Sequence, residues 1–323
     1  MFIFILFVFL FILQAEALTT SPTSSTLFDD FCSSIDGHQD AIIGAICEHE
    51  TAEFSRDPWQ SGKASGLTRV ISDGVMIEKG AVSKSIIRDA PLSVERAATI
   101  SSRTGRTFSP GSTYSAAALS LVLHTRSPLV PTFRSDVRAF SVDGDTWFGG
   151  GADLTPYYLY DDEIQAFHQT MKELCEAHGQ DYLSHKKSCD EYFYLPSREE
   201  HRGTGGIFFD DVAATRESLA FVDGLCKAWM PSWLGPMCLK RKDEPYSEEQ
   251  KDWQLIRRGR YLEFNLLYDR GVKFGLAGAN PRVEGVLVSA PPLVRWVYNH
   301  EVQKGSEEER LMEVLKKPKD WAV

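Results

Sequence analysis

Three consecutive glycines with an acid two residues further on, Gly149-Gly150-Gly151-Ala152-Asp153, follow the aromatic pair Trp147-Phe148 in this 323-residue chain. Glycine costs backbone entropy on folding, so a run of it is placed where side chains cannot be tolerated. Read as chemistry, the stretch lets main chain come close to something flat or bulky and projects the Asp153 carboxylate beside it. Read as structure, it is a tight turn between two strands, because glycine mainly marks turns. Four further polar residues sit next to apolar runs or strand ends: His124, His168, Arg138 and Arg282. Taken singly, each histidine is as well explained as a satisfied core residue and each arginine as a surface one. The residues by themselves describe a glycine-rich, arginine-flanked site and name no substrate.

Several familiar sites are absent. His49-Glu50-Thr51-Ala52 is followed by Glu53, so the helical zinc-protease pair lacks its second histidine. No Gly-Lys-Ser/Thr closes a phosphate loop, and Gly149-x-Gly151 has no third glycine where a dinucleotide fingerprint requires one. No G-x-S-x-G elbow occurs.

The elements that must position these residues are legible in part. Helical spacing runs from Phe28 to Ser55, and strands are expected over Leu67 to Lys79 and Arg134 to Val142. Residues 83–113 read as a long irregular loop. A helix is expected after Asp161 or Asp162, which should cap it, with Ile164, Phe167, His168, Met171, Leu174 and Cys175 on one stripe and Gly179 as its stop. Gly205 to Asp211 reads as a buried strand entering a helix that Pro231 ends. Ser247-Glu248-Glu249-Gln250 is a capping box opening a helix to Arg258. Tyr261 to Asp269 alternates as a half-buried strand should, and Val283 to Val288 reads as another strand. With no internal repeat and no linker, one α+β domain is expected over 28–323.

Net charge is −10, which argues against a nucleic-acid binder but leaves room for arginines holding an anionic small molecule. Six cysteines without a C-x-x-C pair predict neither a disulfide framework nor a zinc knuckle. Residues 1–17 form an apolar run and a small-x-small pattern, Ala15-Glu16-Ala17, which reads as a signal-peptide-like leader; 18–27 is a polar linker. No stable membrane span is expected once that leader is removed.

Four segments resemble the oxygen-dependent coproporphyrinogen III oxidase family. They are Trp147-Phe148-Gly149-Gly150-Gly151-Ala152-Asp153-Leu154-Thr155-Pro156, Cys189-Asp190-Glu191-Tyr192-Phe193-Tyr194, Gly205-Gly206-Ile207-Phe208-Phe209-Asp210-Asp211, and the stretch from Arg257-Arg258-Gly259-Arg260 to Asp269-Arg270-Gly271. The resemblance extends from near Phe28 to Asp320-Trp321. It implies a large, mostly antiparallel sheet sandwiched between two layers of helices, in a homodimer. It also implies oxidative decarboxylation of two propionates of coproporphyrinogen III to vinyls, a step of haem and chlorophyll biosynthesis giving protoporphyrinogen IX. Dioxygen would be the oxidant, with no organic cofactor or redox metal required. By the same resemblance Ser120, Arg138 and Arg282 contact substrate, Gly149, Gly150 and Gly151 leave room for the ring face, and Asp153 engages the pyrrole N–H groups.

The chain departs from the family where Pro-Thr is followed by x-His-x-Asn-x-Arg. Here Arg134 stands in place of the histidine assigned as a proton donor and Asp136 in place of the asparagine, while Ala166 and Ser197 replace two further histidines. Arginine cannot give up a proton at working pH. The acid role is therefore expected to pass to His124 or His201, and Asp136 is expected near a substrate propionate, its charge offset by Arg134. The alternative is a non-catalytic relative that binds tetrapyrroles or pairs with an active subunit. With so few histidines left, no closed metal site is expected, His124 and His168 being the residual candidate ligands. The family works in cytosol, mitochondrion or plastid; the leader predicts an organelle, a plastid reached in two steps or a mitochondrion.

Overall fold

The computed structural model describes residues 24–109, 111–277 and 281–322; the expected leader and most of the linker lie outside the described residues. Its centre is a seven-stranded antiparallel sheet in the order β1 (Asp57–Ser61), β2 (Ala64–Ser72), β3 (Ile77–Pro91), β4 (Thr113–Thr125), β5 (Thr132–Val142), β6 (Asp145–Thr155) and β9 (Gly205–Ala213). The two-residue strands β7 (Tyr194–Leu195) and β8 (Glu200–His201) pair separately. Helices α1 (Ser24–Cys47), α2 (Val94–Thr104), α3 (Asp161–Ala177), α4 (Tyr182–Tyr192), α5 (Arg216–Trp233), α6 (Glu248–Leu267), α7 (Arg270–Leu276), α8 (Val283–Leu287) and α9 (Glu307–Lys316) complete the α+β fold.

Strand β5 shows how the sequence builds two faces. Phe133, Ser135, Val137 and Ala139 point one way and are buried, while Arg134, Asp136 and Arg138 point the other, as period-2 alternation requires. The first set joins Leu119, Leu121, Phe148, Ala152, Ile207 and Phe209 in the main core, which α1, α3 and α5 close. On the opposite face α6 lays Tyr261 against Ala81 and Val122. A second core of Tyr157, Ile164, Trp253, Leu311 and Trp321 ties α3, α6 and α9 together.

Several expectations are corrected. Tyr261 to Asp269 is not a strand: α6 runs on to Leu267, burying Trp253, Ile256, Arg257, Arg260, Tyr261 and Phe264 at helical spacing and leaving Leu266 and Leu267 exposed. Its stripe is masked in the sequence by arginines that are buried because acids pair with them, Arg257 with Glu200 and Arg258 with Glu78, both at 2.7 Å. Residues 83–113 are not a loop but the second half of β3, held by pairing on both sides, followed by α2. Val283 to Val288 forms the short α8. Helix α3 starts after Tyr160 with no side-chain cap, Asp161 and Asp162 falling in its first turn, and α5 passes Pro231 to Trp233 before widening over Leu234–Leu239. Gly179 is left-handed at φ +64°, and the Ser247–Gln250 capping box is formed.

The three glycines are also not a turn. They lie inside β6, none with a positive φ, and the turn between β5 and β6 is the left-handed pair Asp143-Gly144. Space explains them instead. A Cβ on Gly150 would stand 2.7 Å from the Asp136 carbonyl oxygen, and one on Gly151 would stand 2.4 Å from that of Ile207.

Candidate functional site

On the face away from the main core, small residues of four strands come into register. One rung is Ser83, Ser120, Asp136 and Gly151; the next is Ser85, Ala118, Arg138 and Gly149. With strands about 4.8 Å apart, these rungs make a shelf about 14 Å across from which only Asp136 and Arg138 rise, Arg134 standing on the next rung between Val122 and Asp153. Above it opens a cavity of about 920 Å³, walled by Phe140, Trp147, Tyr192 and Phe208, with Arg96 of α2 and Arg270 of α7 at its sides. A second lobe of about 480 Å³ continues over Ser83, Ser85 and Ser120 towards Val286 and Ser289.

The charged groups alternate in a chain from the interior to the mouth. Arg202 donates from Nη2 to Asp153 Oδ2 at 2.6 Å, and Arg134 Nη1 approaches the other Asp153 oxygen at 3.8 Å. Arg134 Nη1 also stands 2.7 Å from Asp136 Oδ1, off the hydrogen-bond axis, so both atoms are buried without a hydrogen bond. Arg138 bridges Asp136 and Asp210, reaching Asp210 Oδ1 at 2.5 Å, and Arg270 meets Asp210 Oδ2 at 2.7 Å. Side-chain exposure rises from 1% at Arg202 to 31% at Arg138 and 48% at Arg270. Gly149 makes one link possible: its Cβ would stand 2.8 Å from both Arg138 Nε and Asp210 Oδ1. A bulge in β9 opposite this glycine carries Asp210.

Burial opposes the charges on Arg134 and Arg138, but Asp136 on both, with Asp153 and Asp210 respectively, more than restores them, so both pKa values lie above the ordinary guanidinium value. Arg202, beneath, is enclosed by the rings of Phe193, Tyr261 and Phe264 at 4.0, 4.6 and 4.9 Å. Cys189 is sealed nearby; burial, and then the charge of Asp153, push its thiol well above the usual value.

Of the residues expected from sequence, Ser120, Asp136, Arg138 and Gly149 line the cavity. Asp153 does not: it lies behind Arg134, 3% exposed and committed to Arg202. Gly150 faces the main core at Phe209, and Gly151 is covered by the backbone of β9. Arg282, at the start of α8, turns to Asp57 and lies over Trp59 instead of entering the cavity. His124 is sealed between Thr132 and the Ser289 carbonyl, at 3.2 and 2.9 Å, and burial, then Arg258, hold its pKa well below the usual value. The ring is fully buried and lines neither lobe of the cavity. His168 faces Tyr182 at 2.9 Å, its pKa lowered to about 3 by burial and then Lys186. His201 bonds the Leu315 carbonyl at 2.7 Å. The three histidines are not brought together, and no cluster of three or more metal-binding side chains occurs among the described residues. Nothing in the sequence by itself singles out Arg96, Tyr192, Asp210, Asp269 or Arg270; the last four lie within the segments that carry the resemblance, and Arg96 lies in none of them.

Comparison with known proteins gives one answer. A family model described as coproporphyrinogen III oxidase matches residues 30–321. The oxygen-dependent coproporphyrinogen-III oxidase of Francisella tularensis subsp. holarctica is 40% identical over 311 residues, covering 91% of this chain and 97% of the relative. That of Drosophila melanogaster is 42% identical over 282 residues (83% and 71%), and the mitochondrial protein of Mus musculus 43% over 282 (84% and 63%).

Proposed function

Because the chain belongs to the coproporphyrinogen III oxidase family, we propose that it converts coproporphyrinogen III to protoporphyrinogen IX with dioxygen as oxidant, needing no organic cofactor. Each reacting propionate loses its carboxylate as CO2 and remains on the ring as a vinyl group, giving up one proton and two electrons; dioxygen takes the two electrons with that proton and one from solvent and leaves as hydrogen peroxide. The observation that carries this reading is the shelf: a flat floor of serine, alanine and glycine under about 920 Å³, with arginines around it and aromatic walls. A tetrapyrrole is flat, apolar across its faces and carboxylated at its rim, which is the complement of that surface.

Arg138, Arg270 and Arg96 hold propionates, since a guanidinium presents two parallel donors to a carboxylate and keeps its charge through turnover. Phe140, Trp147, Tyr192 and Phe208 keep water from the ring, which strengthens every ion pair on the shelf. Ser120 supplies a short hydroxyl beneath the macrocycle. The enzyme acts as a homodimer in an organelle, in keeping with the mitochondrial mouse relative, and residues 1–17 serve as its leader. No helix among the described residues is long and apolar enough to cross a membrane.

A second reading is favoured by one observation: among the described residues no histidine lines the cavity. A tetrapyrrole-binding relative without turnover would have this appearance. Incubating the purified protein with coproporphyrinogen III in air and following protoporphyrin fluorescence after chemical oxidation decides between them. Steady production of protoporphyrin supports the oxidase; tight binding with no product supports the binder.

A further inference from the structure

The tetrapyrrole reading uses the larger lobe of the cavity and leaves the smaller one, of about 480 Å³, without a role. Strands β3 and β4 line that lobe with Ala81, Ser83, Ser85 and Ala116, and Asn265 of α6, Val286 of α8 and Ser289 line it from the helical side. Its inner end is closed by Ala81, Val122 and Tyr261, which pack together with Val288. The polar groups on the helical side answer one another: Ser289 Oγ donates to the Val286 carbonyl at 3.3 Å and accepts from Asn265 Nδ2 at 3.5 Å. An apolar end of this kind stays dry and admits small apolar guests.

Charge is confined to the other end. Among the described residues the charged side chains that line the smaller lobe are Arg134, Arg138 and Asp269, and all three line the larger lobe as well, so they mark the junction. Arg134 stands nearest the apolar end, because its partner across the ladder to β4 is Val122, whereas that of Arg138 is Ala118. A guanidinium keeps its charge at any working pH. A ring seated on the shelf covers the larger lobe, yet dioxygen must reach it once for each of its two reacting propionates. Dioxygen is small and apolar, and on accepting an electron it becomes an anion. A dry chamber that opens beside a fixed cation suits both states.

We propose that the smaller lobe is the dioxygen site, with Arg134 stabilising the superoxide formed at its mouth. The inference rests on the functional reading above and deepens it. Dioxygen bound there takes one electron from the ring and then a hydrogen atom from the propionate carbon attached to the ring, becoming hydroperoxide anion. The C–C bond to the carboxylate breaks, its electron pair closes the vinyl double bond, and CO2 leaves. A solvent proton converts the hydroperoxide to hydrogen peroxide.

Xenon probes the site in the unaltered protein, since it enters the same dry apolar spaces. Crystals pressurised with xenon are expected to hold it in the smaller lobe, and a lobe left empty overturns the proposal. Ser83→Ile fills the lobe from β3, and the Ser83 hydroxyl, buried without a hydrogen bond, has no partner to lose. At saturating porphyrinogen, kcat/KM for dioxygen is expected to fall about tenfold in this variant, while the anaerobic Kd for coproporphyrinogen III stays within about twofold. Ser83→Val gives the same readout should the isoleucine variant not fold. An equal loss for both ligands makes the lobe part of the ring's seat and overturns the proposal, as do unchanged dioxygen kinetics. Arg134→Lys keeps the charge and should stay within about threefold of the wild type in kcat/KM for dioxygen, where Arg134→Met should lose about tenfold; equal rates in the two remove the arginine from the step. A wild type that does not turn over the porphyrinogen in air defeats the functional reading itself, and the proposal with it.

Discussion

The two faces of β4, β5 and β6 are made by alternate residues of the same chain, yet they are stabilised in opposite ways. One presents Leu119, Leu121, Phe133, Val137 and Phe148 to the helices and gains by removing apolar surface from water. The other presents Arg134, Asp136 and Arg138, for which burial is a cost met only by pairing each charge with its neighbour. The core face therefore depends on volume and tolerates small shifts of charge elsewhere. The shelf face depends on partners, and on the empty space over Gly149 that lets those partners meet.

This contrast can be broken from either side. The largest effect is expected on the core face. Phe133, stacked on Trp233 at 5.7 Å and fully buried, should cost about 3–5 kcal/mol when cut to alanine, read by urea unfolding; under 1 kcal/mol would mean that the core collapses around the gap. Next comes the buried end of the ion chain. Arg202→Leu strands the Asp153 carboxylate and should destabilise by about 3 kcal/mol, whereas adding Asp153→Asn should recover most of that loss. If the double variant is no more stable than the single one, packing and not charge holds that corner.

Acid reaches the core face through His168. Its folded pKa of about 3 lies below an unfolded value of about 6.5, so the unfolded chain binds more protons between the two. The stability it contributes is complete above pH ~6.5 and is lost as pH falls towards 3, with a slope of at most about 1.4 kcal/mol per pH unit. Unfolding curves of the wild type and His168→Phe at pH 7 and pH 5 should differ in that slope, and parallel lines would remove the histidine from acid sensitivity. The smallest effect is expected at Gly149→Ala. The added methyl must push Arg138 and Asp210 apart, both at flexible side-chain tips, so kcat/KM should fall about fivefold, roughly 1 kcal/mol, with little change in melting temperature. A large stability loss there would mean the link is structural first.

What the sequence disclosed follows the same division. The alternation of β5, the stripe of α3, its Gly179 stop and the Ser247 capping box were readable because apolar periodicity and caps are local signals. The continuation of α6 past Arg258 was hidden because inner positions there are arginines whose acids, Glu78 and Glu200, lie far away in the chain. The second half of β3, rich in serine, has no strand signal of its own; it is extended because β2 and β4 flank it. The resemblance pointed to Ser120, Arg138 and the glycine run, but no motif could show that Arg202, 49 residues beyond Asp153, takes that acid. Nor could it show that Arg134 stands between Asp153 and the cavity.

Cys189, fully buried and with its thiol pKa pushed well up by burial and then by the charge of Asp153, has a bearing on durability. A protein that handles dioxygen repeatedly at one place exposes its own sulfur to the same oxidant and to any peroxide that escapes. Sulfur is attacked as thiolate, so a buried thiol whose pKa is pushed up is kept off the path to sulfenic acid. Burial does most of this, and the charge of Asp153 adds to it by opposing a second negative charge.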